Sequence, residues 1–248
     1  FNLTIQINLT IQMMLRTTIL FLLLGTASLQ LSAHALWIEA HPEGKSGKAH
    51  TVKVFYGEPS ADTPDKIADW WSDVASFSLW LIKPDGSKEQ LKTTAQGDHF
   101  AATFTPSGDG VYSLSVSHNV AEISGGTLYQ FNATALVTVG KGGDVSPEYA
   151  AGSNELYLFA EPSASLRTGR ELAVSALQSD GPAAESYISA FAPTGWAKSF
   201  QADASGKGSF VPEWKGVYLL EAGKGEEVTG KDYENVYRIA TLRVAVPR

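Results

Sequence analysis

The feature that most constrains this chain is a repeat. Phe104-Thr105-Pro106 is followed by Gly110-Val111-Tyr112-Ser113-Leu114, and Phe210-Val211-Pro212 by Gly216-Val217-Tyr218-Leu219-Leu220. Both read F-x-P-x-x-x-G-V-Y-x-L without a gap. Downstream, Ala133-Thr134 leads to Val137 and Val139, as Ala240-Thr241 leads to Val244 and Val246. Upstream, Pro84-x-Gly86 matches Pro193-x-Gly195. Three matches in one order mean one domain present twice. The local pattern within each copy is alternation, as in Phe77 to Ile82 and Val111 to Val116, punctuated by Gly-rich turns. That is the period of half-buried strands. Helical periodicity is weak except over 65–74, where a short helix is expected.

The repeated element also indicates the type of sandwich. Gly-x-Tyr-x-apolar at a strand start resembles the tyrosine corner of immunoglobulin-like strand F, with Leu114 and Leu220 where a cysteine would stand. The expected fold class is therefore all-β, two tandem immunoglobulin-like β-sandwich domains. The strands are expected near 36–41, 49–56, 75–82, 88–93, 99–105, 111–117 and 130–139, then near 155–161, 170–178, 186–191, 197–201, 208–211, 216–222 and 236–246. Residues 36–140 form domain one and 155–248 domain two. The Gly-rich stretch 141–154, with Pro147, reads as a linker.

Residues 1–35 read as upstream residues and a targeting segment. Arg16 precedes the apolar run Ile19 to Leu24, and small residues follow at Ser32, Ala33 and Ala35. This is the order of a secretory signal peptide. Cleavage falls either after Ala33, leaving His34 first, or after Ala35, leaving Leu36 first. The mature protein is expected in the periplasm or outside the cell, with no stable membrane insertion. The chain has no cysteine, so disulfides, thiolate metal sites and cysteine nucleophiles are excluded. Its formal charge of −7 argues against nucleic acid as a partner. No Gly-x-Ser-x-Gly elbow is present, and no enzymatic role is expected.

All five histidines fall in domain one: His34, His41, His50, His99 and His118. In an immunoglobulin-like sandwich the start of the first strand and the B–C, D–E and F–G loops share one end. His34, His99 and His118 should therefore approach each other there, with Asp98, Glu58 and Glu122 as additional ligands. His41 and His50 form an alternative pair at the opposite end. The B–C loop adds Asp62, Asp65, Asp69, Asp73 and the pair Trp70-Trp71. Imidazoles with carboxylates suit a divalent transition metal such as nickel, cobalt, copper or zinc. A single strand-end histidine is more often solvated or capping, and adjacent tryptophans more often cover the end of a sandwich.

The opening His34-Ala35-Leu36-Trp37-Ile38-Glu39 resembles that of a NikM-like family. Its members are exported proteins of unknown function assigned to the periplasmic component of cobalt or nickel uptake systems. Tyr237-Arg238-Ile239-Ala240-Thr241 is similar to the family's closing Tyr-x-Ala-Thr strand, one residue longer. Thr168-Gly169-Arg170-Glu171, together with Gly216-Val217-Tyr218, is also similar to it. The resemblance implies a periplasmic nickel or cobalt accessory that serves a membrane transporter. Only His34 maps onto the family's opening motif. Two rival expectations remain: an adhesive, carbohydrate- or protein-interaction module without metal, and a copper histidine-brace protein if His34 is the mature N-terminus.

Overall fold

The computed structural model describes residues 34–61, 63–143, 145–160 and 166–247. The signal-peptide expectation and Asp62 lie outside them. Seven strands of four or more residues build domain one: β1 (Ala35–Ala40), β2 (His50–Glu58), β3 (Leu79–Ile82), β4 (Lys88–Leu91), β5 (Phe100–Phe104), β6 (Gly110–Asn119) and β7 (Thr127–Val139). Seven more build domain two: β8 (Leu156–Phe159), β9 (Leu172–Gln178), β10 (Tyr187–Phe191), β11 (Ala197–Gln201), β12 (Lys207–Phe210), β13 (Gly216–Glu227) and β14 (Asn235–Val246). Domain one packs β1-β2-β5 against β4-β3-β6-β7. Domain two packs β8-β9-β12 against β11-β10-β13-β14. The fourth strand of each copy pairs with the third, as Leu79↔Leu91 and Tyr187↔Gln201 show.

Alternation buries one face of each strand. Val52, Val54 and Tyr56 face Leu79, Leu114, Val116 and Phe131 in the first core. Leu158, Val174 and Ile188 face Tyr218, Leu220 and Leu242 in the second. The repeated motif has the same local cause in both copies. The Tyr112 hydroxyl accepts from the Ser107 and Gly108 N–H groups at 3.2 and 3.3 Å and donates to Gly108 O at 3.1 Å. The Tyr218 hydroxyl accepts from Trp214 N at 3.0 Å and donates to Trp214 O at 3.1 Å. Glycine opens each of these strands because φ is +136° at Gly110 and +132° at Gly216. A Cβ there would meet the rings of Pro84 and Pro193 at 2.5 and 2.7 Å.

The two sandwiches are not beads on a string. Strand β7 pairs in parallel with β14 over eight residues, from Thr127↔Asn235 to Thr134↔Leu242. The two four-stranded sheets thereby become one sheet in the order β11-β10-β13-β14-β7-β6-β3-β4. The order reads alike from both ends, and alternation assigns one face to each core. Phe131 and its partner Ile239 lie in the first core, whereas Ala240 and Leu242, the partners of Asn132 and Thr134, lie in the second. The domains are thus related by a pseudo-two-fold axis along the β7/β14 seam, with their smaller sheets on opposite faces.

Buried polar groups seal the seam. Thr241 Oγ1 donates to Leu36 O at 2.7 Å, and Asn132 Nδ2 to Ile239 O at 3.3 Å. Asn154 Nδ2 donates to Ala133 O and Thr134 Oγ1, both at 3.1 Å. Within the 141–154 connection, residues 146–154 are a packed piece of structure. Pro147–Ala151 forms a short helix, α1, with Ser146 Oγ accepting from Tyr149 N as its N-cap. Ala150 and Ala151 are buried. Over 65–74 the chain makes two 3₁₀ turns, Ile67–Asp69 and Val74–Ser76, in place of a single helix.

Candidate functional site

The end of domain one that carries the N-terminal side of β1 gathers three histidine–carboxylate pairs. His34 Nε2 lies 3.0 Å from Asp65 Oδ2, and its ring leans on Tyr56 at 5.3 Å between centroids. His99 Nδ1 lies 2.7 Å from Asp98 Oδ1, and its ring rests on Phe55 at 5.0 Å. His118 Nε2 lies 3.3 Å from Asp73 Oδ1, close enough to pair electrostatically but not aligned for a hydrogen bond. Burial alone would raise the Asp73 pKa. The Ala121 N–H, donating at 2.8 Å, and the His118 ring more than offset this and hold it low. The His99 hydrogen bond likewise holds Asp98 below the usual carboxylate range.

These pairs share one end of the sandwich but not one site. Phe55 and Tyr56 are successive residues of β2, so their side chains point to opposite faces of the sheet. His99 sits over the outward ring and His34 over the inward one. Among the described residues, no group of three or more His, Asp or Glu stands close enough to hold a metal ion. Glu122 Oε2 accepts from Trp71 Nε1 at 3.2 Å, and Glu58 Oε1 accepts from Ser60 Oγ at 2.8 Å. Trp70 is a buried plug among Tyr56, Phe77 and Phe100, and Trp71 packs edge-on against Tyr129. At the opposite end, the ring of His50 bonds the backbone of His41 while burial pushes its pKa down, and His41 Nδ1 meets Glu43.

His34 stands apart from the other two imidazoles of this end. Its side chain is 44% exposed, against 16% for His99 and 12% for His118. Asp65 takes Nε2, and among the described residues Nδ1 has no hydrogen-bond partner.

A second constellation had no sequence signal. Between the outward face of β1-β2 and the face of β10-β13-β14 turned away from the second core lies a groove of about 230 Å³. Trp37, Glu39, Phe55 and Glu58 line one wall; Phe191, Leu219 and Arg243 line the other. Trp37 stacks on Phe55 at 5.7 Å, and Arg243 Nη1 pairs with Glu39 Oε1 at 2.5 Å. Glu221 is next along β13 on Leu219's face. Its pKa is pushed up to about 7, by burial first and by the charge of Glu58 second. Glu58 Oε2 and Glu221 Oε2 are both buried without a hydrogen-bond partner. A reading of the sequence passes over Glu221, because Leu219-Leu220-Glu221 alternates as an ordinary half-exposed strand does.

Two solved structures are similar to the chain, both distantly. One is a Ca²⁺-stabilised adhesin with which an Antarctic bacterium binds ice. It is 10% identical with a TM-score of 0.26, over 87% of this chain and 50% of the adhesin chain, so this chain spans half the length of that match. The other is a segment of two fibronectin type-III domains from chicken tenascin. It is 14% identical with a TM-score of 0.25, over 84% of this chain and 97% of the segment. No curated protein matches the chain. No helix among the described residues is long and apolar enough to cross a membrane. The model of the family described as a domain of unknown function, DUF4198, matches residues 31–224, and the chain belongs to that family.

Proposed function

We propose that this protein is an exported, non-enzymatic accessory that binds a transition metal, nickel or cobalt foremost, and passes it to a membrane uptake system. The observation that carries the reading is the His34–Asp65 pair at 3.0 Å, with Nδ1 left open on a half-exposed ring. Metal-ligating histidines usually give their second ring nitrogen to a carboxylate, which sets the tautomer and orients the ring. Asp65 is that carboxylate here. If export cuts the chain between Ala33 and His34, the new α-amine and Nδ1 belong to one residue and can chelate one ion. An ion held by two protein donors at a rim keeps open coordination positions, as a carrier that must release its cargo requires. The similarity of the opening His34-Ala35-Leu36-Trp37 to the NikM-like pattern supports the same assignment.

The test is to sequence the N-terminus of the exported protein and titrate it with nickel, cobalt and copper. A start at His34 and binding well below millimolar are expected. Asp65→Asn should weaken binding roughly 10–100-fold, because it removes the orienting partner. A start at Leu36, or no binding tighter than millimolar, defeats the proposal.

A further inference from the structure

The pseudo-two-fold axis gives the molecule two equivalent grooves, and among the described residues only one of them is filled. In domain one the groove face of the shared sheet carries Ile82, Ser113 and Ser115. Helix α1 lies on it: Ser113 Oγ donates to Ala150 O at 2.7 Å, and the Tyr149 hydroxyl reaches Val111 O at 2.6 Å and Ile82 O at 3.1 Å. Lys88 Nζ closes the far side on Gly152 O at 3.0 Å. The helix also packs beside β8, the first strand of the other domain. Under this cover Ser113 and Ser115 are 0% exposed.

Ladder register identifies the counterparts in domain two. Ile82 pairs with Ser113 as Phe191 pairs with Leu219, and Ser115 corresponds to Glu221. The counterpart of the β8 wall is the outward face of β1, which carries Trp37 and Glu39. These residues bound the open groove, and no described segment of the chain lies between them. The open copy differs in charge. Arg243 is matched by Glu39, while Glu58 and Glu221 leave carboxylate oxygens unpartnered.

We infer that this open groove is a docking site for a short segment of a partner protein, seated as α1 is seated in its twin and carrying a basic side chain toward Trp37, Glu58 and Glu221. The chain's own helix shows that the twin groove, on the equivalent sheet face of domain one, accepts a peptide. The Glu58 carboxylate on the groove wall, with Glu221 beside it, selects a cation over an anion. The inference stands independently of the metal proposed at His34.

The probe is a synthetic peptide with the sequence of residues 146–153, prepared as it stands and with Glu148→Lys. Each is titrated into the isotope-labelled protein and followed by NMR. Expected are shifts of the Trp37 indole N–H and of the Phe191 and Leu219 amides, with the lysine form bound about tenfold more tightly. Glu58→Gln combined with Glu221→Gln should erase that preference, and His34→Ala should leave it unchanged. The inference is overturned if neither peptide perturbs these resonances at millimolar concentration, or if the shifts lie elsewhere. It is equally overturned if the glutamate form binds as well as the lysine form, or if benzylammonium binds as tightly as the peptide, which would make this a small-molecule site.

Discussion

Glu221→Gln should stabilise this protein, and the gain should depend on pH in one direction. The Glu221 carboxyl rises from an ordinary 4.5 to about 7 in the folded chain. Folding therefore favours its protonated form, and the folded state binds more protons than the unfolded state between those values. Stability then falls as pH rises through that window and levels off above it. At 1.36 kcal/mol per pKa unit, the ionised side chain costs about 3 kcal/mol at pH 8 and almost nothing at pH 4. Glutamine has the same shape and no charge, and its amide can donate toward Glu58. Urea unfolding at pH 4.5, 6, 7 and 8.5 would read the difference. The variant should match the parent at the acid end and exceed it by about 3 kcal/mol at the alkaline end, or roughly 6–12 °C in Tm for a chain of this size. Glu58→Gln should recover the smaller part, because burial is the larger cause of the shift. A stability difference that stays constant across the series would refute the coupling of that carboxyl to its buried setting.

Gly110→Ala and Gly216→Ala should each cost roughly 2 kcal/mol or more, since a Cβ combines positive φ with a clash against proline; chemical denaturation checks both, and near-neutral values would refute the strain. Asn154→Ala removes two buried hydrogen bonds at the seam and leaves Ala133 O without that donor, so a loss of about 1–3 kcal/mol is expected. Amide exchange should accelerate along β7 and β14 in the same variant. Tyr218→Phe should cost about 1–2 kcal/mol through the Trp214 backbone groups it leaves unpaired.

The strands, the duplication and the tyrosine corner were legible because each is local. The Gly-x-Tyr spacing sets a turn, and alternation sets a face. The join between the copies was not legible. A parallel pair between β7 and β14 leaves no mark on either strand beyond a few polar residues, Asn132, Thr134 and Thr241, at positions that turn out to be buried. The 141–154 segment has the composition of a linker, yet Tyr149 and Ala150 find carbonyl and hydroxyl partners on a sheet face that sequence gives no reason to think uncovered. The same-end placement of His34, His99 and His118 followed from topology. The separation of His34 from His99 onto opposite faces depended on Phe55 and Tyr56, one residue apart on β2, which a loop-level argument does not resolve.

The seam also orders the making of the molecule in time. Strand β7 leaves the ribosome, and passes any export machinery, long before its partner does; Asn132 and Ile239 lie 107 residues apart. Until β14 arrives, domain one carries an open strand edge and lacks the Ile239 side chain its core expects. Strand β14 is thus the one that finishes the first domain. A chain stalled or clipped within β14 would leave both sandwiches incomplete, each with a bare edge ready to recruit another copy.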